Sequence, residues 1–511
     1  MTENVIMIDS SEFGLGNAIE KGKRILFGKT NSYNISVFNE NKTALNCLEN
    51  LVFENKEVCA LIKYYDSTLT NYNGMNIIRE VKRKYPKIRT ILIYSNKQEE
   101  KKIFKNKEWI DDSFYINEHD YFKSIDSIFN QCFNNIKITD EIERQSLLGK
   151  NILITGVTGF IGGRFFRELL KNESLKLYLL GRSKRGRNFE DRVGINNERV
   201  IYIEGDLKNS KIVNKKKHLN LLKNNIEEIW HFAANTKVER KNRDEIMKTN
   251  LLGTINLIDF AKKIKKLKCF NYISTAYTSG DAHFPNEVNE QINNVITVFK
   301  NPYEESKFLT ECILINSGLP YRIFKPSMVI GDSKTGECDI KTIYIAALLL
   351  YLVKLRFGKQ QNCFKIPGDD KTRKNLIPID CVVEMMLKIR DSGKGKNQCF
   401  ALVNPKCTTV GTVLNTAAKL IGINLNYDPG LDKSSIKEIG DYFIYSQFED
   451  FIPYMSISDP CFSMENTLSI IGNYEIPEPS EDFLNFSLNS FYTNVVPKLL
   501  KKERFKNLTA T

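Results

Sequence analysis

The sequence predicts two α/β domains in tandem, the second carrying a smaller C-terminal region, and three observations carry that reading. Over the first 135 residues, short β-rich runs alternate with helical stretches. At 151–170 an apolar strand passes through a glycine-rich turn into an amphipathic helix, NILITGVTGFIGGRFFRELL. The composition is that of a globular chain, with 42% hydrophobic and 26% charged residues among 511. Such a length accommodates about two to four domains.

The β-rich runs of the first part are 5–8, 34–38, 58–64, 90–95 and 113–116. Strands that alternate with helices form a parallel sheet covered on both faces, with ligands near the carboxyl ends of the strands. Asp9, Asp66 and Ser95 stand at those ends, and Gly74 follows Asp66 by eight residues. This arrangement resembles a response-regulator receiver domain. The resemblance implies a (βα)5 domain over 1–135 in which Asp66 accepts phosphate, Asp9 and Asp66 hold Mg²⁺, and a sensor kinase or docking partner engages the surface. The sequence departs from that family at two points: the acidic pair after the first strand reads Asp9-Ser10, and the family's lysine is replaced by Asn117 in FYINEHD. One carboxylate fewer and no ammonium weaken both metal binding and phosphate-induced switching. The domain is therefore either phosphorylatable or a degenerate form used for docking or dimerisation, and Asp9 and Asp66 are otherwise simple helix caps. Residues 136–149 are polar without a strand pattern and read as a linker.

Charge is uneven along the chain. Residues 1–149 hold 21 basic and 21 acidic side chains, so 53 of the 74 basic and 40 of the 61 acidic residues lie in 150–511, which carries the whole excess of +13. A basic surface suits phosphorylated cofactors or an acidic partner. The lysine runs 262–268 and 215–217 lack the interleaved aromatics of a single-strand binder, so they read as solvated helix faces and no nucleic acid is expected. Eleven cysteines with no CxxC pair indicate neither a disulfide framework nor a zinc site, and a reducing, cytoplasmic setting is expected. The N-terminus has no leader pattern, and the longest apolar stretch, 343–355, is too short to span a bilayer, so no transmembrane segment is expected.

In the glycine turn at 155–162, TGVTGFIG, each glycine has a mechanical role. Gly156 permits the tight turn, Gly159 lets the backbone approach a pyrophosphate, and Gly162 allows close packing of helix on strand, with phosphate at the helix N-terminus. The candidate dinucleotide contacts are Thr155, Gly156, Thr158, Gly159, Phe160, Ile161 and Gly162. The next strand, 177–180, runs into Gly181-Arg182-Ser183, with no carboxylate for ribose hydroxyls. An arginine there can pair with a 2′-phosphate, so NADPH is favoured, with Arg192 as a second contact. Asp206-Leu207 suits an adenine contact, and Ala233-Ala234 let the backbone pass close to the cofactor. His231 reads as structural.

The sequence NPYEESKFLTE places Tyr303 four residues before Lys307, on one face of a helix. With the glycine turn upstream and the strand 270–274 running into Thr275, the order resembles an extended short-chain dehydrogenase/reductase. The resemblance implies a Rossmann-type doubly wound parallel sheet. It also implies Tyr303 as proton donor, Lys307 lowering the tyrosine pKa and holding the nicotinamide ribose, and Thr275 bonding the substrate oxygen, with Ser274 as the alternate. Hydride delivered to a carbonyl carbon leaves negative charge on oxygen, and a positioned donor must meet it.

Two further stretches, YISTAYTSG at 272–280 and FKPSMVIGDSKTGE at 324–337, with Glu311 and LIPID at 376–380, resemble the thioester-reductase and fatty acyl-CoA reductase branch. Pro326 is a further candidate cofactor contact. The likeness covers 150–405 and implies NADPH-dependent reduction of an acyl thioester, on coenzyme A or a separate acyl carrier protein, to aldehyde or alcohol. Residues 406–511 are expected to form a substrate or lid region. The apolar stretch 343–355 either lines an acyl tunnel or is a buried core helix. Two other readings stay open: a sugar-nucleotide epimerase or dehydratase, and a non-catalytic NADPH-sensing regulator.

Overall fold

The computed structural model describes residues 147–184, 186–280, 287–290 and 298–501, together with five strands of the N-terminal part. Those strands are β1 (Glu3–Ile8), β2 (Tyr33–Phe38), β3 (Val58–Lys63), β4 (Arg89–Tyr94) and β5 (Asp112–Tyr115). They form one parallel sheet in the order β2-β1-β3-β4-β5. Each lies within two residues of the run expected from its alternation of apolar positions. Asp9, Asp66, Ser95 and Asn117, on which the receiver likeness turns, lie outside the described residues.

The second unit is built on β6 (Asn151–Thr155), β7 (Lys176–Gly181), β8 (Val200–Glu204), β9 (Glu228–His231), β10 (Cys269–Ile273), β11 (Tyr321–Pro326) and β12 (Gln398–Leu402). All pair in parallel, in the order β8-β7-β6-β9-β10-β11-β12. The chain runs outward from β6 to β8, then crosses to β9 and runs outward the other way. The strand order thus reverses between β6 and β9, and the crevice above their carboxyl ends is where such a sheet binds its ligand. Thr155 and His231 are register partners at that point.

Strands covered on both faces read as continuous apolar runs, and β6, β9 and β10 are buried almost throughout. Trp230 is wholly buried, with its ring centroid 4.2 Å from that of Phe165 and 5.2 Å from that of Phe324. A second core gathers around the helix Ile343–Phe357, with Phe364, Leu414, Leu484 and Phe491 among its buried members. The two cores draw on interleaved stretches of chain: the helix Ile379–Asp391 and β12 return to the first after the second has begun. No helix among the described residues is long and apolar enough to cross a membrane.

At the amino end of β9 a carboxylate is buried. Glu228 accepts from Arg390 Nη2 at 3.0 Å and Nε at 3.1 Å, from the Gly149 amide at 2.6 Å and from Trp230 Nε1 at 2.9 Å. Arg390 also donates to the Gly149 carbonyl at 2.7 Å, so this one pair ties the start of the unit to the helix Ile379–Asp391. Removing one partner of such a pair strands a charge and costs about 3–5 kcal/mol, whereas an apolar replacement of both is often neutral. In urea unfolding, Arg390→Met is expected to lose stability of that order, and Arg390→Met/Glu228→Gln to recover more than half of it. A double variant no better than the single one would remove the stranded-charge explanation.

Candidate active site

The glycine turn is shaped by the approach of two strands. Gly156 has φ +76°, and a Cβ there would stand 2.5 Å from the Ala233 amide nitrogen. Only glycine meets both constraints. A Cβ at Gly162 would lie 2.5 Å from the Gly156 carbonyl oxygen and 3.0 Å from Phe232 Cβ, so this glycine sets the closeness of helix to strand. The helix Phe160–Leu170 that follows has no side-chain cap and no acidic residue in its first turn, leaving its amide donors open to an anion. The cradle fits a dinucleotide.

Beneath the turn runs a buried polar chain. The Ala233 amide donates to Thr155 Oγ1 at 3.3 Å, and Thr155 Oγ1 lies 2.7 Å from His231 Nδ1. His231 Nε2 lies 2.9 Å from Thr254 Oγ1, which itself donates to the Asn250 carbonyl at 2.5 Å. Because the Thr254 proton is committed to that carbonyl, His231 must donate from Nε2 and accept at Nδ1 from Thr155. Asn250 continues the chain, accepting the Asn235 amide at 2.7 Å and donating to Ser306 Oγ at 2.9 Å, and Ser306 in turn donates to the Tyr303 carbonyl at 2.7 Å. Burial, with Lys307 nearby, holds His231 down to about 3, so it is a neutral spacer, as its structural reading requires.

A single cavity of about 750 Å³ opens above the turn. Gly156, Thr158, Gly159, Phe160, Ile161 and Gly162 form its floor, and Arg182, Arg192, Asp206 and Leu207 one end. Ala233, Ala234, Ser274, Thr275, Tyr303, Lys307 and Pro326 stand along its middle. Of the residues expected to meet cofactor or substrate, Thr155 alone is absent from the lining; it acts from below. At the arginine end, Arg182 Nη1 is 3.4 Å from Asp206 Oδ2, and Arg192 donates to the Arg182 carbonyl at 2.6 Å. The lining also includes an apolar group, Ile343, Ile345, Ala346, Val413, Leu414 and Phe451, with Lys341 and Thr342 next to it in the chain; this group is the apolar arm. The first turn of the helix Ile343–Phe357 thus faces the cavity and the rest of it packs in the second core, so both alternatives for this stretch hold in part.

Tyr303 and Lys307 share a face of the helix Pro302–Ile315, as their spacing requires. Lys307 Nζ donates to the Ile273 carbonyl at 2.6 Å and stands over the rings of Tyr272, at 4.6 Å, and Tyr303, at 5.9 Å. The expected lowering of the Tyr303 pKa by Lys307 is not found. Burial pushes the phenol above its ordinary value and the neighbouring Glu304 carboxylate adds to the rise, while Lys307 Nζ is held at the Ile273 carbonyl, 5.9 Å from the phenol ring centroid. Tyr303 is therefore protonated at neutral pH, a donor ready for use. Thr275 makes only long bonds, donating to the Pro326 carbonyl at 3.4 Å and accepting from the Tyr277 amide at 3.4 Å, so its hydroxyl is not strongly committed.

A polar cluster beside Tyr303 was not foreseen from the sequence. Tyr454 donates to Glu304 Oε1 and accepts from Asn301 Nδ2. Tyr277 donates to Asp459 Oδ2 at 2.8 Å, and Asp459 pairs with Lys374 at 2.7 Å. Tyr277, Lys374 and Tyr454 all line the cavity. Their contacts join positions some 80 to 180 apart in the chain, so no local pattern announces them.

Residues 154–386 match the NAD-binding family model described as male sterility protein. Fatty acyl-CoA reductase 1 of Xenopus laevis is 32% identical over 315 residues, covering 52% of this chain and 58% of that protein. The Mus musculus counterpart is 27% identical over 229 residues, 41% of each chain. The chain spans about half the length of these curated relatives. Among solved structures, the terminal R domain from the myxalamid biosynthetic pathway superposes with a TM-score of 0.55 at 22% identity, covering 69% of this chain and 92% of that one. A thiolation-reductase di-domain from an archaeal non-ribosomal peptide synthetase gives 0.51 at 20% identity, covering 68% and 75%. The structural likenesses establish the fold. Over residues 154–386 the chain is thus similar to an NAD-binding domain family, and over a longer stretch to fatty acyl-CoA reductases.

The depressed pKa of His231 makes a pH signature. Its unfolded value is near 6.5 and its folded value about 3, so below pH 6.5 the unfolded chain binds a proton that the folded one refuses. Stability from this group is complete above pH 6.5 and falls as pH drops toward 3, by up to about 1.4 kcal/mol per pH unit. His231→Gln is expected to be less stable at pH 7.5 but to lose stability less steeply on acidification. Parallel wild-type and variant curves of urea midpoint against pH would remove His231 as the source.

Proposed function

We propose that this protein is an NADPH-dependent reductase of an acyl thioester, forming the aldehyde or, after a second hydride, the alcohol. What carries the reading is the continuity of one cavity from the glycine turn, past Thr275, Tyr303 and Lys307, into an apolar arm. A sugar nucleotide would ask hydrogen-bond partners of that arm, whereas an acyl chain asks only for apolar walls. The intact donor set argues against a purely sensing role.

In this reading the bound dihydronicotinamide supplies hydride to the thioester carbonyl carbon. The amides of Phe160 to Gly162 would meet the pyrophosphate at the helix N-terminus, the Gly159 amide being given to the Gly156 carbonyl at 2.9 Å, and Arg182 with Arg192 would meet the 2′-phosphate. Lys307, fixed by the Ile273 carbonyl, holds the ribose and orients Tyr303. Thr275 bonds the substrate oxygen, with Ser274 as the alternate, and Tyr303 gives that oxygen its proton as charge develops. The hemithioacetal formed then collapses and releases the thiol. The thiol belongs to coenzyme A or to a separate acyl carrier protein, and the basic balance of residues 150–511 suits the phosphates of one or the acidic surface of the other.

NADPH consumption with acyl-CoA and acyl-carrier thioesters, with product identification, tests the reading. Tyr303→Phe is expected to lose about a hundredfold or more in kcat while still binding NADPH, since a general acid contributes about 10²–10⁴. Undiminished turnover in that variant would remove Tyr303 as donor. Arg182→Ala is expected to raise KM for NADPH about tenfold or more and to leave KM for NADH within about threefold, the size of a lost charge-assisted hydrogen bond. Equal effects on both cofactors would count against a 2′-phosphate site.

A further inference from the structure

The thioester reading leaves one chemical demand unmet, and the cluster beside Tyr303 can meet it; this inference rests on that reading. When a hemithioacetal collapses, sulfur leaves with the electron pair of the C–S bond. A thiol buried in apolar surroundings is a weaker acid than one in water, so a bare thiolate is costly in a largely apolar cavity. Tyr303 is already engaged with the oxygen. A second acid is needed for sulfur.

Lys374 is a cavity-lining cation placed to act as one. It sits on the short strand Arg373–Lys374 and is 4% exposed. Its Nζ donates to the Ile457 carbonyl at 2.8 Å and to Asp459 Oδ1 at 2.7 Å. An ammonium has three donors; two are bonded here, and the remaining one has no hydrogen-bond acceptor among the described residues, only the Tyr454 ring at 5.8 Å. Two separate chains of contacts connect it to chain neighbours of Thr275 and Tyr303, which line the same cavity. Asp459 also accepts the Tyr277 hydroxyl at 2.8 Å, two residues beyond Thr275. On the other side the Tyr454 ring lies 5.8 Å from Nζ and its hydroxyl bonds Glu304, next to Tyr303. Lys300 approaches the same rings, at 5.9 Å from Tyr277 and 5.3 Å from Tyr454, but is not part of the cavity wall.

We propose that Lys374 is the catalytic acid that protonates the departing sulfur. The hemithioacetal O–H proton returns to the Tyr303 oxygen and the freed electron pair forms the aldehyde C=O bond. The C–S bond breaks, and sulfur takes a proton from the Lys374 ammonium. Aldehyde and neutral thiol leave, and the lysine amine regains its proton from water. Asp459 and the Ile457 carbonyl hold the ammonium in place. Burial already draws the Lys374 pKa below its ordinary value, which makes it a readier donor.

The test compares two leaving groups on the same acyl chain, with full-length protein and NADPH. One is N-acetylcysteamine, an alkyl thiol that needs a proton to leave; the other is 4-nitrothiophenol, whose anion is stable at neutral pH. Lys374→Met is expected to slow the alkyl thioester about thirtyfold or more and the aryl thioester less than about threefold. Since that variant strands Asp459, Lys374→Met/Asp459→Asn is measured beside it, and the same split is expected there, with NADPH binding as the check on folding. Equal losses for both thioesters, or no loss for either, would overturn the assignment of Lys374. A wild-type protein that binds NADPH but reduces neither thioester would overturn the reductase reading, and this inference with it.

Discussion

The buried chain from Thr155 through His231, Thr254 and Asn250 to Ser306 is the constraint on which the site depends. It joins the glycine turn, the carboxyl end of β9 and the helix bearing Tyr303 through groups that have no access to water. Each hydroxyl and ring nitrogen has one compatible role, so the donor direction propagates along the chain without a free choice. A network satisfied in this way is rigid, because breaking one link leaves a polar atom buried with nothing to replace its partner. The glycine turn and Tyr303 are therefore held in one frame, although they lie about 150 residues apart. Moving either would cost more than the chain can lose quietly.

The sheet supplies the second constraint. Reversal of strand order between β6 and β9 leaves a crevice at their carboxyl ends, and Gly156, Arg182, Asp206, Ala233 and Thr275 line it just beyond strands of that sheet, whereas Lys374 and Tyr454 reach it from outside the sheet. The apolar arm has another origin. Its walls come from the second core, whose helices are separate in sequence and meet only in three dimensions. Cofactor and substrate sides are thus built by different means, one by topology and one by packing of distant helices.

This division explains what the sequence made legible. The glycine turn could be read because its cause is local: Gly156 needs a positive φ, and Gly162 sits one turn into a helix that must touch Phe232. The Tyr303 and Lys307 pair could be read because four residues is the helical repeat. The five N-terminal strands follow from apolar runs of strand length, as do, in the second sheet, the strand before the glycine turn and those at 177–180 and 270–274. The Glu304–Tyr454 and Lys374–Asp459 pairs could not be read, since their partners lie 150 and 85 residues apart and carry no motif. The raised tyrosine pKa is not legible for the same reason. The sequence shows a lysine four residues on, but not the burial that pushes the phenol up.

Two buried ion pairs in the same unit make an instructive contrast. Glu228, beneath the sheet, receives both nitrogens of one Arg390 fork face, a backbone amide and the Trp230 indole, so its carboxylate is fully met and nothing is left over. Such a pair closes a structure. Lys374, on a separate two-stranded sheet, is hydrogen-bonded through two donors and lines the cavity. Burying an ion pair rarely stabilises a fold more than a well-packed apolar pair would, so an incompletely satisfied one at a cavity wall is poorly explained by stability. The unmet donor is explained if a ligand atom completes it. Thr275 and Tyr303 line the same cavity, so a ligand held by them is the one that could complete it.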